Sequence, residues 1–317
     1  MSPARVRVIA EAGVNHNGSL DLALRLVDAA ADAGADAVKF QTFRAERVAA
    51  ASAGKARYQA ETTGAHESQL DMLRRLELTE EMHHALIGRC RDRGIEFLST
   101  AFDTESLDLL VALGVPRVKC PSGEITNGPL LLRMARTGLP VIVSTGMSDL
   151  DEGREALGVL AFGGTRAGEP ADRRDFVAAL GSPEGAALVR ERVTLLHCTT
   201  EYPAPFEAVN LRAMDTLRDA FGAAVGYSDH TPGITVPIAA VARGATLIEK
   251  HFTLDRGLPG PDHRASLEPG ELHAMIAAVR AVEDALGDGR KVAAACELGN
   301  RDIARRSLVA ARPIAAG

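Results

Sequence analysis

AGADAVKF, residues 33–40, joins the end of a helical stretch to a strand-forming run through one glycine, Gly34. A glycine just past a helix adopts the left-handed C-cap that a Cβ would obstruct. The apolar run after it suits a parallel strand covered on both faces. The same grammar returns in RGIEFLST (93–100), LGVPRVK (113–119), TGLPVIVST (137–145) and RGATLIEKHF (243–252), at Gly94, Gly114, Gly138 and Gly244. Strands are expected near 6–14, 37–43, 96–102, 117–124, 140–147, 193–200, 224–230 and 247–253. Helices are expected at 19–33, 79–93, 104–113, 128–137, 149–161, 210–221, 234–243 and 269–286. In the last, Leu272, Met275, Ile276, Val279, Val282 and Leu286 recur at helical spacing. Eight such units predict an α/β fold of the closed (β/α)8 TIM-barrel type over residues 1–287. No G-x-G-x-x-G follows the first strand, which argues against dinucleotide binding.

Two segments exceed the repeat. Residues 44–78, between the second strand and its helix, form a long loop on the catalytic side and are expected to act as a lid. Residues 165–190 precede the sixth strand and are read as a peripheral insertion on the opposite face. After Gly287 the pattern stops: 288–306 read as a polar linker, and SLVAARPIAAG (307–317) as the first strand of a further unit.

The 317 residues are 46% hydrophobic and 25% charged, the balance of a soluble globular chain able to bury a large core without disulfides. The net charge of −6 and the lack of a long basic run argue against nucleic acid. MSPARVRVIAEAG lacks the apolar stretch of a leader, and no run reaches membrane-spanning length. Cys90, Cys120, Cys198 and Cys296 are widely spaced and read as reduced thiols of a cytoplasmic protein rather than a zinc site.

Catalytic groups of such a barrel project from the C-terminal ends of its strands. Those ends here carry Glu11, Asn15 and His16; Lys39 and Gln41; Ser99 and Thr100; Lys119, Ser122 and Glu124; Ser144 and Thr145; His197, Thr199 and Thr200; Ser228, Asp229 and His230; Glu249, Lys250 and His251. Any one of them reads equally well as a solvated strand end. Together they would be costly to bury without a ligand. Side chains alternate along a strand, so Glu249, Lys250 and His251 cannot all face inward, and Lys250 is expected to face the helices or a subunit interface. Lys39, Lys119 and the hydroxyls of Ser122, Ser144 and Ser228 suit a small phosphorylated or carboxylated anion. His230 and His251 end adjacent strands and could share a metal: Mn2+, with Mg2+, Co2+ or Zn2+ as alternatives. Glu11 and Glu124 are candidates for proton transfer or for holding the second substrate. Asp262 reads as a turn residue as readily as a ligand contact.

These residues also carry a resemblance. EAGVNHNGSL (11–20), VKFQTF (38–43), STAF (99–102), KCPSGEITN (119–127), STGM (144–147), LHCTTEYPAP (196–205), GYSDHT (226–231), EKHFTLD (249–255) and GPDHRASLEP (260–269) are similar to the sialic acid synthase family, which makes N-acetylneuraminic, legionaminic and pseudaminic acids. The likeness runs from about residue 5 to 287 and touches every strand. It implies a transferase that joins phosphoenolpyruvate to an N-acylated hexosamine, N-acetylneuraminate synthase first, with the N,N'-diacetyllegionaminate and pseudaminate synthases as alternatives. By the same resemblance Lys39 and Thr100 would hold the carboxylate of phosphoenolpyruvate, and Lys119, Ser122, Ser144 and Ser228 its phosphate. His230 and His251 would bind the metal, Gln41, Glu124, Tyr202 and Asp262 would contact the sugar, and Glu11 would assist beside the metal. Thr200 stands near the phosphate, where some members carry asparagine. RRSLVAARPIAAG resembles the first residues of a small antifreeze-like domain that reaches across a dimer in the family, so residues 288–317 are expected to be a linker and the start of that truncated domain. A homodimer is expected where the domain is present. Two other readings compete: a Schiff-base aldolase, which needs a lysine of depressed pKa, and a non-catalytic barrel that keeps the anion pocket.

Overall fold

The computed structural model describes residues 5–50, 52–64 and 67–317. Residues 1–4 of the stretch read against a leader, and 51, 65 and 66 of the 44–78 excursion, lie outside the described residues. Eight parallel strands close into one barrel in chain order: β1 (Arg7–Gly13), β2 (Ala37–Thr42), β3 (Glu96–Ala101), β4 (Val118–Cys120), β5 (Val141–Ser144), β6 (Val193–Cys198), β7 (Ala224–Asp229) and β8 (Leu247–His251). β8 pairs with β1 in the register Glu11↔His251, which completes the ring. The helices between successive strands are α1 (Leu20–Asp32), α2 (Ala45–Val48), α3 (Arg57–Thr63), α4 (Gln69–Arg74), α5 (Glu80–Arg93), α6 (Thr104–Ala112), α7 (Gly128–Arg136), α8 (Leu150–Thr165), α9 (Arg173–Leu180), α10 (Pro183–Arg192), α11 (Ala213–Phe221) and α12 (Thr235–Ala242). α13 (Pro269–Leu286) covers the closing seam, and α14 (Leu298–Ala304) follows it.

The glycine grammar has the expected cause: Gly34, Gly94, Gly114, Gly138 and Gly244 all have positive φ. The helices start on short polar caps. Ser19 accepts from the Leu22 amide, and Asp149 forms a reciprocal capping box with Glu152 at the head of α8. α13 buries Leu272, Met275, Ile276 and Val279 as their spacing predicts, whereas Leu286 is exposed at the frayed end.

Strand alternation divides the barrel. Outward residues such as Val8, Val38, Phe40 and Tyr227 join the large core shared with the helices. Inward, Ile9, Ala37, Leu98, Ile142, Leu196 and Leu247 form an apolar plug at one level. A Cβ on Gly226 would lie 2.4 Å from the Leu247 carbonyl oxygen and 2.7 Å from the Leu196 side chain, so this plug admits only glycine there. One step further along the strands, Glu11, Lys39, Thr100, Lys119, Ser144, Ser228 and Glu249 replace the apolar side chains, and all are buried.

The structure corrects several boundaries. β4 ends at Cys120 instead of 124: Pro121 has no N–H to continue the ladder, and Ser122–Glu124 turn into a single 3-10 turn. The 44–78 excursion is not a bare loop, since α2, α3 and α4 fold within it. A small cluster of Val14, Phe43, Met72 and Leu76 fastens it to the barrel rim. Gly18 makes that contact possible, because a Cβ there would meet the Arg75 carbonyl oxygen at 2.3 Å. The 165–190 insertion comprises α9 and α10 packed on α8 through Ala161, Phe162, Phe176 and Ala179. Residues 288–317 are exposed throughout. α14 interrupts the stretch read as a linker, and 307–317 form no strand, having no edge to pair with.

Candidate active site

The inward polar layer is one electrostatic unit. Lys39 Nζ lies 2.6 Å from Glu11 Oε2 and 3.7 Å from Glu249 Oε2, and donates to Thr100 Oγ1 at 2.7 Å. Lys119 Nζ reaches across the barrel to Glu249 Oε1 at 3.3 Å, and Ser228 Oγ donates to the same oxygen at 3.0 Å. Burial would push both carboxyls up. For Glu249 the two lysines and Ser228 outweigh burial and hold it down at about 2. For Glu11 burial prevails, helped by the Glu249 charge and opposed by Lys39, and its carboxyl is raised to about 7. Burial alone would lower Lys39, yet Glu11 and Glu249 keep it above its ordinary value. A Schiff-base nucleophile needs the opposite shift, which counts against Lys39 in the aldolase reading.

A cradle opens beside Lys119. The Gly146 amide donates to Ser122 Oγ at 3.1 Å, and Ser122 Oγ touches Cys198 Sγ at 3.1 Å. A Cβ on Gly146 would fall 2.3 Å from Thr200 Oγ1 and 2.7 Å from both Cys198 Sγ and Ser122 Oγ. Only a residue without a side chain leaves this space free. Ser144 Oγ and Thr200 Oγ1 are buried without a hydrogen-bond partner. Buried hydroxyls seldom stay unpaired, and donors converging beside a lysine are what a tetrahedral anion requires.

On the far rim, β7 and β8 deliver His230 and His251 with ring centroids 5.5 Å apart. His230 Nδ1 is 2.6 Å from the Thr199 carbonyl oxygen, an acceptor only, so Nδ1 carries the proton and Nε2 keeps its lone pair. His251 Nδ1 is buried with no partner and lies 4.0 Å from Asp262 Oδ2. Burial lowers the pKa of His230; burial and then His230 lower that of His251 well below the ordinary value. Both imidazoles are therefore neutral at neutral pH, the form that ligates metals. Burial raises Asp262 to about 6, still ionised above that pH. Tyr202 lies over the His230 ring at 4.2 Å between centroids and meets His251 edge-on at 5.6 Å. Among the described residues no group of three His, Cys, Asp or Glu side chains gathers as a metal cluster. Two neutral imidazoles are a donor set that suits a borderline cation, which would need further oxygen ligands to fill its shell.

Most of the expected residues converge: Glu11, Lys39, Thr100, Lys119, Ser228 and the cradle of Ser122, Ser144 and Thr200 line one mouth with His230, His251, Tyr202 and Asp262. Gln41 joins through a 3.5 Å contact from Nε2 to Glu11 Oε1. Glu124 stands apart from the lysine–carboxylate network, accepting from Asn127 Nδ2 at 2.7 Å. Other strand-end residues turn outward. His16 packs at a tilt against Phe40, His197 bonds the Val209 carbonyl, and Ser99 bonds Thr42. Lys250 also faces away from the mouth. Glu249 is the residue whose role sequence reasoning missed, although its two-residue spacing from His251 signals the same face. Cys198, at the cradle wall, was read only as a reduced thiol. A cavity of about 660 Å3 opens outside the barrel between α7, α8 and α9. Its walls are Leu131, Phe176, Val177 and Leu180 with Asp151, Arg154, Glu155 and Arg173 at an exposed rim, and it lacks converging buried polar groups, so the chemistry belongs to the mouth.

The NeuB family matches residues 26–291, most of the chain, with β2 to β8 in full and β1 outside the match. The chain belongs to the NeuB family. As a member it is an enzyme of the sialic acid synthase type, a transferase that forms a carbon–carbon bond. It is 50% identical to the N,N'-diacetyllegionaminic acid synthase of Campylobacter jejuni over 98% of this chain and 86% of that protein. It is 46% identical to the enzyme of that name from Legionella pneumophila, over 98% of this chain and 81% of the relative. Among solved structures, N-acetylneuraminic acid synthetase from Leptospira borgpetersenii, in complex with citrate, superposes with a TM-score of 0.74 at 34% identity, covering 96% of this chain and 93% of that one.

Proposed function

We propose that the protein condenses phosphoenolpyruvate with 2,4-diacetamido-2,4,6-trideoxymannose to give N,N'-diacetyllegionaminate and phosphate. The observation that carries the reaction class is the mouth itself: two buried lysines and a cradle of unpaired hydroxyls on one side, two neutral imidazoles on the other. The choice of acceptor rests on the relatives at 50% and 46% identity, which favour the diacetylated sugar over the N-acetylmannosamine that the sequence put first.

In this reading Lys39 and Thr100 grip the carboxylate of phosphoenolpyruvate. Lys119, Ser122, Ser144, Thr200 and Ser228 take its phosphate, giving Ser144 and Thr200 the partners they lack. Glu249 aligns both lysines from beneath. Gln41, Tyr202, Asp262 and Glu124 orient the open-chain sugar so that its aldehyde carbon faces C3 of the enol. Mn2+ bound by His230 and His251, with Mg2+ or Co2+ as alternatives, would polarise that aldehyde. The new carbon–carbon bond leaves a cation at C2, which takes the oxygen of water, and the water's proton is lost. Collapse then turns the C2 hydroxyl left by that water into the keto group, its proton passing to the departing phosphate as the bond from C2 to the phosphate oxygen breaks. Glu11, buried and titrating near 7, can carry a proton to or from the acceptor oxygen. Fixed charges in a water-poor mouth supply most of the rate.

The test is to present the diacetylated sugar and N-acetylmannosamine in parallel and measure kcat/KM for keto-acid formation. A ratio of at least tenfold toward the diacetylated sugar supports the assignment; the reverse ratio restores the N-acetylneuraminate reading, and no product from either removes the synthase reading.

A further inference from the structure

Behind the histidine pair, on the faces of β7 and β8 turned away from the mouth, lies an ion pair with no solvent exposure. Lys250 Nζ is 2.5 Å from Asp229 Oδ2, and both side chains are 0% exposed. The two residues are register partners, and each immediately adjoins a histidine of the mouth: Asp229 precedes His230, and Lys250 precedes His251. Lys250 Nζ also bonds the Thr231 carbonyl oxygen on the other side of His230. Asp229 in turn accepts from the Thr231 amide at 3.0 Å and from its hydroxyl at 2.9 Å. The backbone on both sides of His230 is thus tied to the strand that carries His251. At the mouth, His230 is further fixed by its bond to the Thr199 carbonyl, and its own carbonyl accepts from the Ala204 amide at 2.9 Å.

We infer that Lys250 and Asp229 are positioning residues, a buried strut that sets the separation and direction of the His230 and His251 imidazoles and so the affinity of the site for its divalent cation. The inference rests on the metal reading of that pair. A buried lysine paired only for stability could stand anywhere in the shell between barrel and helices. This one crosses the single strand gap that separates the two histidines, and its second bond goes to the Thr231 carbonyl rather than to a covering helix. A site with two protein ligands has no third side chain to correct a misplaced imidazole, so the backbone at residues 230 and 251 must set the geometry. Groups that orient metal ligands from behind typically govern affinity by about ten- to a hundredfold.

Removing one partner alone would strand a buried charge and unfold the region, so the pair is replaced together. In Asp229→Asn/Lys250→Met, asparagine keeps an acceptor for Thr231 and methionine keeps the volume of the lysine stem. Mn2+ is titrated into the full chain, free Mn2+ is read by electron paramagnetic resonance, and a melting curve records the fold. The expected result is a folded variant whose Mn2+ dissociation constant is about ten- to a hundredfold weaker than the parent's. A folded variant that binds within twofold of the parent overturns the strut and leaves the metal reading standing. A parent that binds no Mn2+ overturns the metal reading, and the strut with it. If the double variant does not fold, Thr231→Val removes only the hydroxyl bond to Asp229; a severalfold loss of Mn2+ affinity supports the strut, and an unchanged affinity overturns it.

Discussion

Gly146 shows how one missing atom keeps the cradle of the proposed anion site open. Gly146→Ala would put a methyl within 2.3–2.7 Å of Thr200 Oγ1, Cys198 Sγ and Ser122 Oγ. We expect the KM for phosphoenolpyruvate to rise at least tenfold while the fold survives, as steady-state kinetics and a melting curve would record; an unchanged KM would place the phosphate elsewhere. Lys119→Ala removes a charge-assisted contact of about 1.5–3 kcal/mol, so the KM for phosphoenolpyruvate should rise by roughly ten- to a hundredfold. A normal KM would take Lys119 out of the site. Residue types and spacing made the two lysines, the hydroxyls and the histidine pair legible in the sequence. Glu249 was not, because its role depends on Lys119, which is four strands away around the ring and reaches it across the barrel. The cradle was half legible: Ser122 and Ser144 carry recognisable chemistry, whereas Gly146 acts through a side chain it lacks.

Secondary-structure elements were legible where local chemistry decides them. The helix–glycine–strand grammar located β2, β3, β4, β5 and β8, and apolar runs located the other three, since a left-handed cap and a doubly covered strand both leave marks in the sequence. β4 was drawn too long because KCPSGE continues its polar alternation, while Pro121 ends the ladder. α2, α3 and α4 were missed because each is short, and tertiary contacts through Val14, Phe43, Met72 and Leu76 hold this excursion in place. The excursion lies on the catalytic side, packed against the β1 loop through Gly18 and Arg75. If it closes over bound substrates, limited proteolysis within residues 44–78 should slow severalfold when phosphoenolpyruvate and sugar are both present. Equal cleavage with and without substrates would leave it a passive ornament of the rim.

At the scale of the whole molecule, the same burial that prepares the mouth shapes stability against pH. His16 and His263 are buried outside the catalytic layer, and burial lowers each to about 4. The Gly18 amide donates to His16 Nδ1, an arrangement that protonation of that nitrogen would break. Between about pH 6.5 and 4 the unfolded chain binds protons at these sites that the folded chain refuses, so their contribution is complete above 6.5 and falls away as the solution is acidified. Each histidine accounts for at most about 3 kcal/mol by that linkage. Glu11, raised to about 7, opposes the trend because its folded form favours the proton. Comparing the parent with His16→Gln isolates the histidine: the fall in denaturant midpoint between pH 7 and 4.5 should be clearly smaller in the variant. Identical falls would show that His16 does not report on unfolding. No helix among the described residues is long and apolar enough to cross a membrane. The closed barrel was legible as a whole, because eight alternating strand–helix units leave few other ways to cover both faces of a parallel sheet. The fate of residues 288–317, fully exposed here, was not.

The measurement that tests the central claim most directly is release of inorganic phosphate from phosphoenolpyruvate with Mn2+, run with and without 2,4-diacetamido-2,4,6-trideoxymannose and repeated with a chelator. Release that needs both the sugar and the metal is the predicted result. Release without the sugar, or no release while phosphoenolpyruvate still binds by calorimetry, would contradict it and leave the mouth a binding site without this reaction.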